Sequence, residues 1–136
     1  MTRINVGIHP SELDRDHLIA EHREMKRIPN MVASGRAVIK NIPNEFSLNS
    51  GHVKFFYTRL GYLHRRYKAV HAECIKRGYN VEDYSQSWES VPVSCLGDYT
   101  PKPRDREIII NRLIEKRSPS YKKLEFAINP SIKERI

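Results

Sequence analysis

Val53-Lys54-Phe55-Phe56-Tyr57-Thr58-Arg59-Leu60-Gly61-Tyr62-Leu63-His64-Arg65-Arg66-Tyr67-Lys68-Ala69-Val70-His71-Ala72-Glu73-Cys74-Ile75-Lys76-Arg77-Gly78 is the stretch that decides the fold. Val53, Phe56, Leu60, Leu63, Tyr67, Val70 and Cys74 recur at alternating spacings of three and four. That period stacks them into one buried stripe on a single long helix. Lys76 and Arg77 then stand at the negative end of the helix dipole, and Gly78 supplies a C′ glycine. Arg59, Arg65, Arg66 and Lys68 lie off the stripe. They are open to two readings, plain solubility or contact with phosphates.

Two further helices are predicted around this one. Upstream, Ser11 or Asp14 offers an N-cap for a helix running to about Arg27, bent or interrupted at Pro29 and resuming through Met31-Val32-Ala33 to Gly35. Leu18, Met25 and Val32 form its apolar side, with Ile28 at the border. Downstream, Pro103 opens a helix that buries Ile109, Ile110, Leu113 and Ile114 and ends near Arg117, before Pro119. Residues 36–50 and 79–101 read as irregular connections, with Trp88 as a packing anchor. The expected architecture is all-α: a compact single domain spanning 1–136, with three main helices and long irregular connections.

Charge narrows the partners. The net charge of +8 is unevenly spread. Residues 52–77 hold seven Lys/Arg against the single acid Glu73, while residues 78–101 hold four acids and no Lys/Arg. Such segregation favours a polyanion on one surface. Nucleic acid suits it better than a membrane, because the basic residues are not interleaved with a lipid-facing aromatic ridge. No run of 18 apolar residues occurs. Two cysteines, Cys74 and Cys95, make no disulfide framework, so a reduced, intracellular protein is expected. His64 and His71 are two turns apart, too far to share one ion, and neither C-x-x-C nor H-E-x-x-H is present. No metal and no cofactor are expected.

The chemistry concentrates near the start of the chain. On the first helix, His17, Glu21 and Glu24 share a face by spacings of four and three, Arg27 follows Glu24 by three, and Arg23 flanks the stripe. A solvated charged face would look the same. The α-amine of Thr2, once Met1 is removed, adds a second ingredient. A lysine near pKa 10.4 is less than about a thousandth neutral at pH 7, whereas an α-amine near 7.7–8.0 is roughly a tenth neutral. Neighbouring arginines depress it further, which suits a Schiff-base nucleophile.

These residues resemble the phage-type pyrimidine-dimer DNA glycosylases, the phage endonuclease V family. The likeness runs through Met1-Thr2-Arg3-Ile4-Asn5, then His17-Leu18, Ala20-Glu21 and Arg23-Glu24, and then Arg27. It continues in Gly51-His52-Val53, Phe55-Phe56-Tyr57, Ala72-Glu73-Cys74, Lys76-Arg77-Gly78, and Gly97-Asp98-Tyr99 with Pro101. The resemblance implies a three-helix protein, acting as a monomer in the cytoplasm (of the host, if phage-encoded), that cuts damaged double-stranded DNA at cyclobutane pyrimidine dimers. It makes Thr2 the nucleophile and Glu24 the catalytic carboxylate. Arg3, Arg23 and Arg27 become phosphate contacts near the lesion, and His17 a further site residue. Two departures bear on lesion preference. Asp16 replaces the family's glutamine, and Ser120-Tyr121-Lys122-Lys123-Leu124 stands where relatives carry an aromatic-rich tail. Three functions therefore stay open: dimer glycosylase with abasic-site lyase activity, the same chemistry on another lesion or mainly on abasic sites, and non-catalytic DNA binding.

Overall fold

The computed structural model describes residues 2–115, and among these the fold is all-α. Its helices are α1 (Arg15–Glu24), α2 (Arg27–Ala33), α3 (His52–Phe55), α4 (Leu60–Lys76) and α5 (Pro103–Glu115). Short 3-10 turns at Pro10–Glu12, Ser85–Trp88 and Val93–Cys95 punctuate the connections. β-structure among the described residues is limited to one antiparallel bridge between Arg59 and Leu96. The expected tail features and the helix end near Arg117 lie outside the described residues. The chain divides into two units: Met1–Ile4 with His9–Thr100, and Asn5–Ile8 with Pro101–Ile136.

In the first unit α4 is the central element. It packs against α1 and against the turns at Pro10–Glu12 and Ser85–Trp88, while α2 packs on the latter turn. Leu60, Leu63, Tyr67, Val70 and Cys74 of the predicted stripe are all buried in α4. Its C-terminus closes as predicted. Gly78 sits at φ +81°, its N–H bonds to the Ile75 carbonyl, and the Tyr79 N–H bonds to the Cys74 carbonyl. These are the two bonds of a Schellman motif, and they need a left-handed residue at Gly78.

The start of α4 differs from expectation. The stripe does not lie on one uninterrupted helix from Val53, because the chain breaks between α3 and α4 at residues 56–59. Segment 96–97 inserts at this break. Gly97 donates to the Thr58 carbonyl, and its own carbonyl accepts the Tyr62 N–H, one of the donors a helix start leaves unpaired. Approach is so close that a Cβ on Gly97 would lie 2.3 Å from the Thr58 oxygen, and one on Gly61 2.7 Å from the Leu96 oxygen. Only glycine fits at either position. Apolar periodicity was preserved across the break, so the stripe alone did not reveal it.

Helix α1 begins at Asp14, whose side chain caps the His17 N–H, so Asp14 rather than Ser11 is the cap. The interruption expected at Pro29 falls earlier, between Glu24 and Arg27. Proline lacks an N–H and its ring crowds the carbonyl four residues back, here Met25. The Met25 carbonyl instead accepts from Ile28, and Pro29 then sits in the first turn of α2, where no N–H is required. Leu18, Met25, Ile28 and Val32 are buried as the apolar spacing requires.

Aromatic rings fill much of this core. Phe46, Phe55 and Phe56 meet edge to face at centroid distances of 5.2–6.1 Å, and Tyr99 adds an edge contact to Phe55. Trp88 is buried and packs on His64 and Tyr67, which makes it the anchor foreseen for the second connection. Cys74 and Cys95 are buried free thiols.

The second unit is organised on α5. Ile109, Ile110 and Leu113 are buried, as are Val6 and Ile8 of the N-terminal segment. Arg106 donates to the Gly7 carbonyl at 3.0 Å. The wholly buried Asp105 accepts the Lys102 N–H at the head of the helix.

Candidate active site

The N-terminal segment is fixed by the loop that precedes α3. The Ile4 N–H donates to Nε2 of His52 at 2.9 Å, and His52 Nδ1 lies 2.9 Å from the Ser47 carbonyl. Arg3 donates through Nη1 to the Leu48 carbonyl at 3.2 Å. Thr2 and Arg3 are half-buried, so neither is sealed in the core or fully in water.

Glu24 closes α1. Its side chain is 14% exposed and accepts from Nη2 of the more open Arg23 at 3.2 Å. Pro29 ends the helix here, so the carboxylate stands at a helix terminus and not along a continuous charged face. Lys26 occupies the break itself. Its Nζ donates to the Arg23 carbonyl at 2.7 Å and lies 3.7 Å over the Tyr84 ring. Burial, then Arg27 and Arg23, push the Lys26 pKa below the ordinary lysine value. Arg23, Lys26 and the exposed Arg27 thus crowd positive charge at the end of α1, a field that attracts phosphate. Lys26 was not singled out from sequence, although its position three after Arg23 was the available signal.

His17 lies at the other end of α1. Its ring nitrogen is 2.8 Å from the Asp14 carboxylate that also caps the helix. Seven residues separate it from Glu24, roughly 10 Å along the helix axis. Asp16 is exposed and paired with Arg15 at 3.4 Å.

The expected grouping of His17, Glu21 and Glu24 on one open face does not hold. Glu21 is buried, and both its oxygens accept from Arg66 of α4, at 2.7 and 2.9 Å. Helical spacing places a residue on a face but does not say whether that face meets solvent or a buried guanidinium. Of the two readings offered for the cations off the stripe, neither holds for the buried Arg66. Arg66 is spent on Glu21, and Arg59 lies 3.9 Å over the Phe55 ring while donating to the Phe55 and Pro43 carbonyls. Arg65 pairs with Asp98 and remains exposed. No group of three His, Cys, Asp or Glu side chains among the described residues could hold a metal ion. Among the same residues, no helix is long and apolar enough to cross a membrane.

A polar cluster joins α1 to α4. His22 Nε2 is 3.0 Å from both His71 Nδ1 and the Tyr67 hydroxyl, which also accepts the Tyr84 N–H. Burial, reinforced by His71 and Lys26 and opposed by Asp83, pushes the His22 pKa down to about 4. The sign of the pH effect follows. An unfolded chain takes up this proton below about 6.5, whereas the folded ring resists it until about 4. Stability from His22 is therefore complete above pH 6.5 and lost as pH falls toward 4. Denaturant titrations should show a loss of roughly 1–2 kcal/mol between pH 7 and pH 5, and His22→Gln should flatten that slope. An unchanged slope in the variant would assign the proton uptake elsewhere.

Thr2, Arg3, His17, Arg23, Glu24 and Arg27 all fall in the N-terminal part of the chain, where one further finding applies. Residues 1–86 match the family model for pyrimidine dimer DNA glycosylase, and the chain belongs to that family.

Proposed function

We propose that this protein is a pyrimidine-dimer DNA glycosylase with abasic-site lyase activity, working through a Schiff base to the α-amine of Thr2. Family membership sets DNA glycosylase chemistry and DNA as substrate class. The observation that carries the finer reading is Glu24, a sheltered carboxylate at the end of α1 that is paired with Arg23. An oxocarbenium-like sugar needs a fixed negative charge close by, while the flanking strand needs cations for its phosphates.

In this reading the neutral amine attacks C1′ of the 5′ sugar of the dimer, and the C1′–N1 bond breaks with its electron pair leaving on the pyrimidine. Ring opening at O4′ gives an iminium between Thr2 and C1′. That iminium is an electron sink, so the C2′ proton becomes removable and the 3′ phosphate departs by β-elimination. Glu24 stabilises the cationic sugar and assists the proton transfers. Arg3, Arg23 and Arg27 grip backbone phosphates, and His17, held by Asp14, contacts the strand further along α1.

Borohydride trapping tests it. Protein whose Met1 has been removed, checked by intact mass, is mixed with dimer-containing, abasic and undamaged duplexes. A covalent adduct is expected on the first two and not on the third. An adduct on abasic duplex alone favours a lyase without dimer specificity. No adduct on any duplex rejects the Schiff-base chemistry.

A further inference from the structure

Residues 3 and 4 are both tied to one short stretch of chain, and the tie that reaches closest to the backbone of the chain start is a histidine. An amide N–H only donates and a carbonyl only accepts. With Ile4 N–H on Nε2 and the Ser47 carbonyl on Nδ1, His52 is therefore the neutral tautomer protonated at Nδ1. The ring is 4% exposed and is held by edge contacts to Phe46 and Phe56, with centroids at 5.3 and 5.5 Å. Its acceptor atom thus has a fixed place. A chain start is ordinarily the most frayed part of a domain. Here fraying is stopped at Ile4, and the Arg3 bond to Leu48 stops it again one residue earlier.

We propose that His52 is a positioning residue for the Thr2 amine: by accepting the Ile4 N–H it limits the nucleophile to the freedom of two residues. The inference rests on the Schiff-base reading given above. It adds that the rate of imine formation depends on an acceptor outside the site's own charged groups. Orientation of this kind governs the reacting step, where a displacement of about 1 Å can cost roughly 100-fold, and leaves strand binding to the arginines.

The test uses the full-length, Met1-processed protein in excess over a duplex bearing one abasic site. Single-turnover trapping by borohydride is measured beside the duplex Kd. His52→Phe keeps a ring against Phe46 and Phe56 but removes the acceptor. Trapping should slow by roughly 10–100-fold while the Kd changes by less than about 3-fold. His52→Gln restores an acceptor and a donor on a side chain of similar reach, and should recover to within about 5-fold of the unsubstituted rate. The 15N signature of His52 should be that of the tautomer protonated at Nδ1, which can be read even if His52→Phe does not fold. A ring protonated at Nε2 overturns the proposal, as does trapping by His52→Phe at the unsubstituted rate. Equal slowing of both folded variants overturns it too, because the acceptor would then not be the operative atom. Absence of any adduct with the unsubstituted protein instead sinks the Schiff-base chemistry.

Discussion

Glu24→Gln is expected to abolish cleavage of dimer-containing duplex, by at least about 100- to 1,000-fold in the single-turnover rate, while duplex affinity stays within several-fold. Glutamine keeps the shape and hydrogen-bonding reach of the side chain and removes only its charge and its basicity. Those are the two properties the proposed chemistry asks of it. The variant should fold normally. The pair with Arg23 joins adjacent residues on α1 and its arginine is 57% exposed, so its loss costs at most about 1 kcal/mol. Removing a negative charge beside Arg23 should also leave phosphate attraction intact or slightly raised. A rate loss with retained binding therefore isolates the carboxylate's chemistry from its packing. Full cleavage by Glu24→Gln would remove Glu24 from the mechanism, and a parallel loss of affinity would make it a binding residue.

Much of this architecture was legible in the chain, because periodicity reports burial directly. The α4 stripe, the Gly78 stop, the apolar side of α1 and α2, and the buried isoleucines of α5 all follow from which residues repeat at three and four. Breaks were harder to see. The gap between α3 and α4 depends on Gly97 reaching Thr58, a contact between positions 39 apart that no local pattern encodes. The gap after Glu24 was foreseeable in kind from Pro29 but misplaced, since proline acts on the carbonyl one turn before it.

Polar residues were the least legible. Glu21, Arg59 and Arg66 carry charge, and charge in a sequence reads as surface. Each is instead used inside the fold, two of them in one ion pair and the third on carbonyls and a ring. His52 enters the sequence reading only within the Gly51-His52-Val53 motif, and nothing local there reveals that its ring joins a backbone donor to a backbone acceptor. Glu24 and Glu21 looked equivalent from the spacing. What separates them is Arg66, 45 residues beyond Glu21, and that partner could be found only by folding the chain.

The Arg66–Glu21 pair accordingly carries the largest expected effect on stability. Its side chains are 7% and 0% exposed, and two parallel N–H···O bonds join α4 to α1. Burial opposes the Arg66 charge, but the Glu21 carboxylate and its hydrogen bond outweigh that and hold the guanidinium protonated. Glu21→Gln or Arg66→Met alone would leave one charge buried with its partner gone, a loss of about 3–5 kcal/mol in denaturant unfolding. Glu21→Leu combined with Arg66→Met removes both charges and substitutes apolar volume. It should lie within about 1.5 kcal/mol of the unsubstituted protein, or above it. The cycle thus predicts strong non-additivity, with the single variants together costing far more than the pair. Simple additivity would mean that the two groups are solvated in solution and that the contact does not join the helices. Because Glu24 lies less than one turn beyond Glu21, the same double variant also reads how the site is held. If cleavage returns along with stability, apolar packing between α1 and α4 suffices to hold Glu24, whereas a stable but inactive double variant would show that the ion pair sets the rotation of α1.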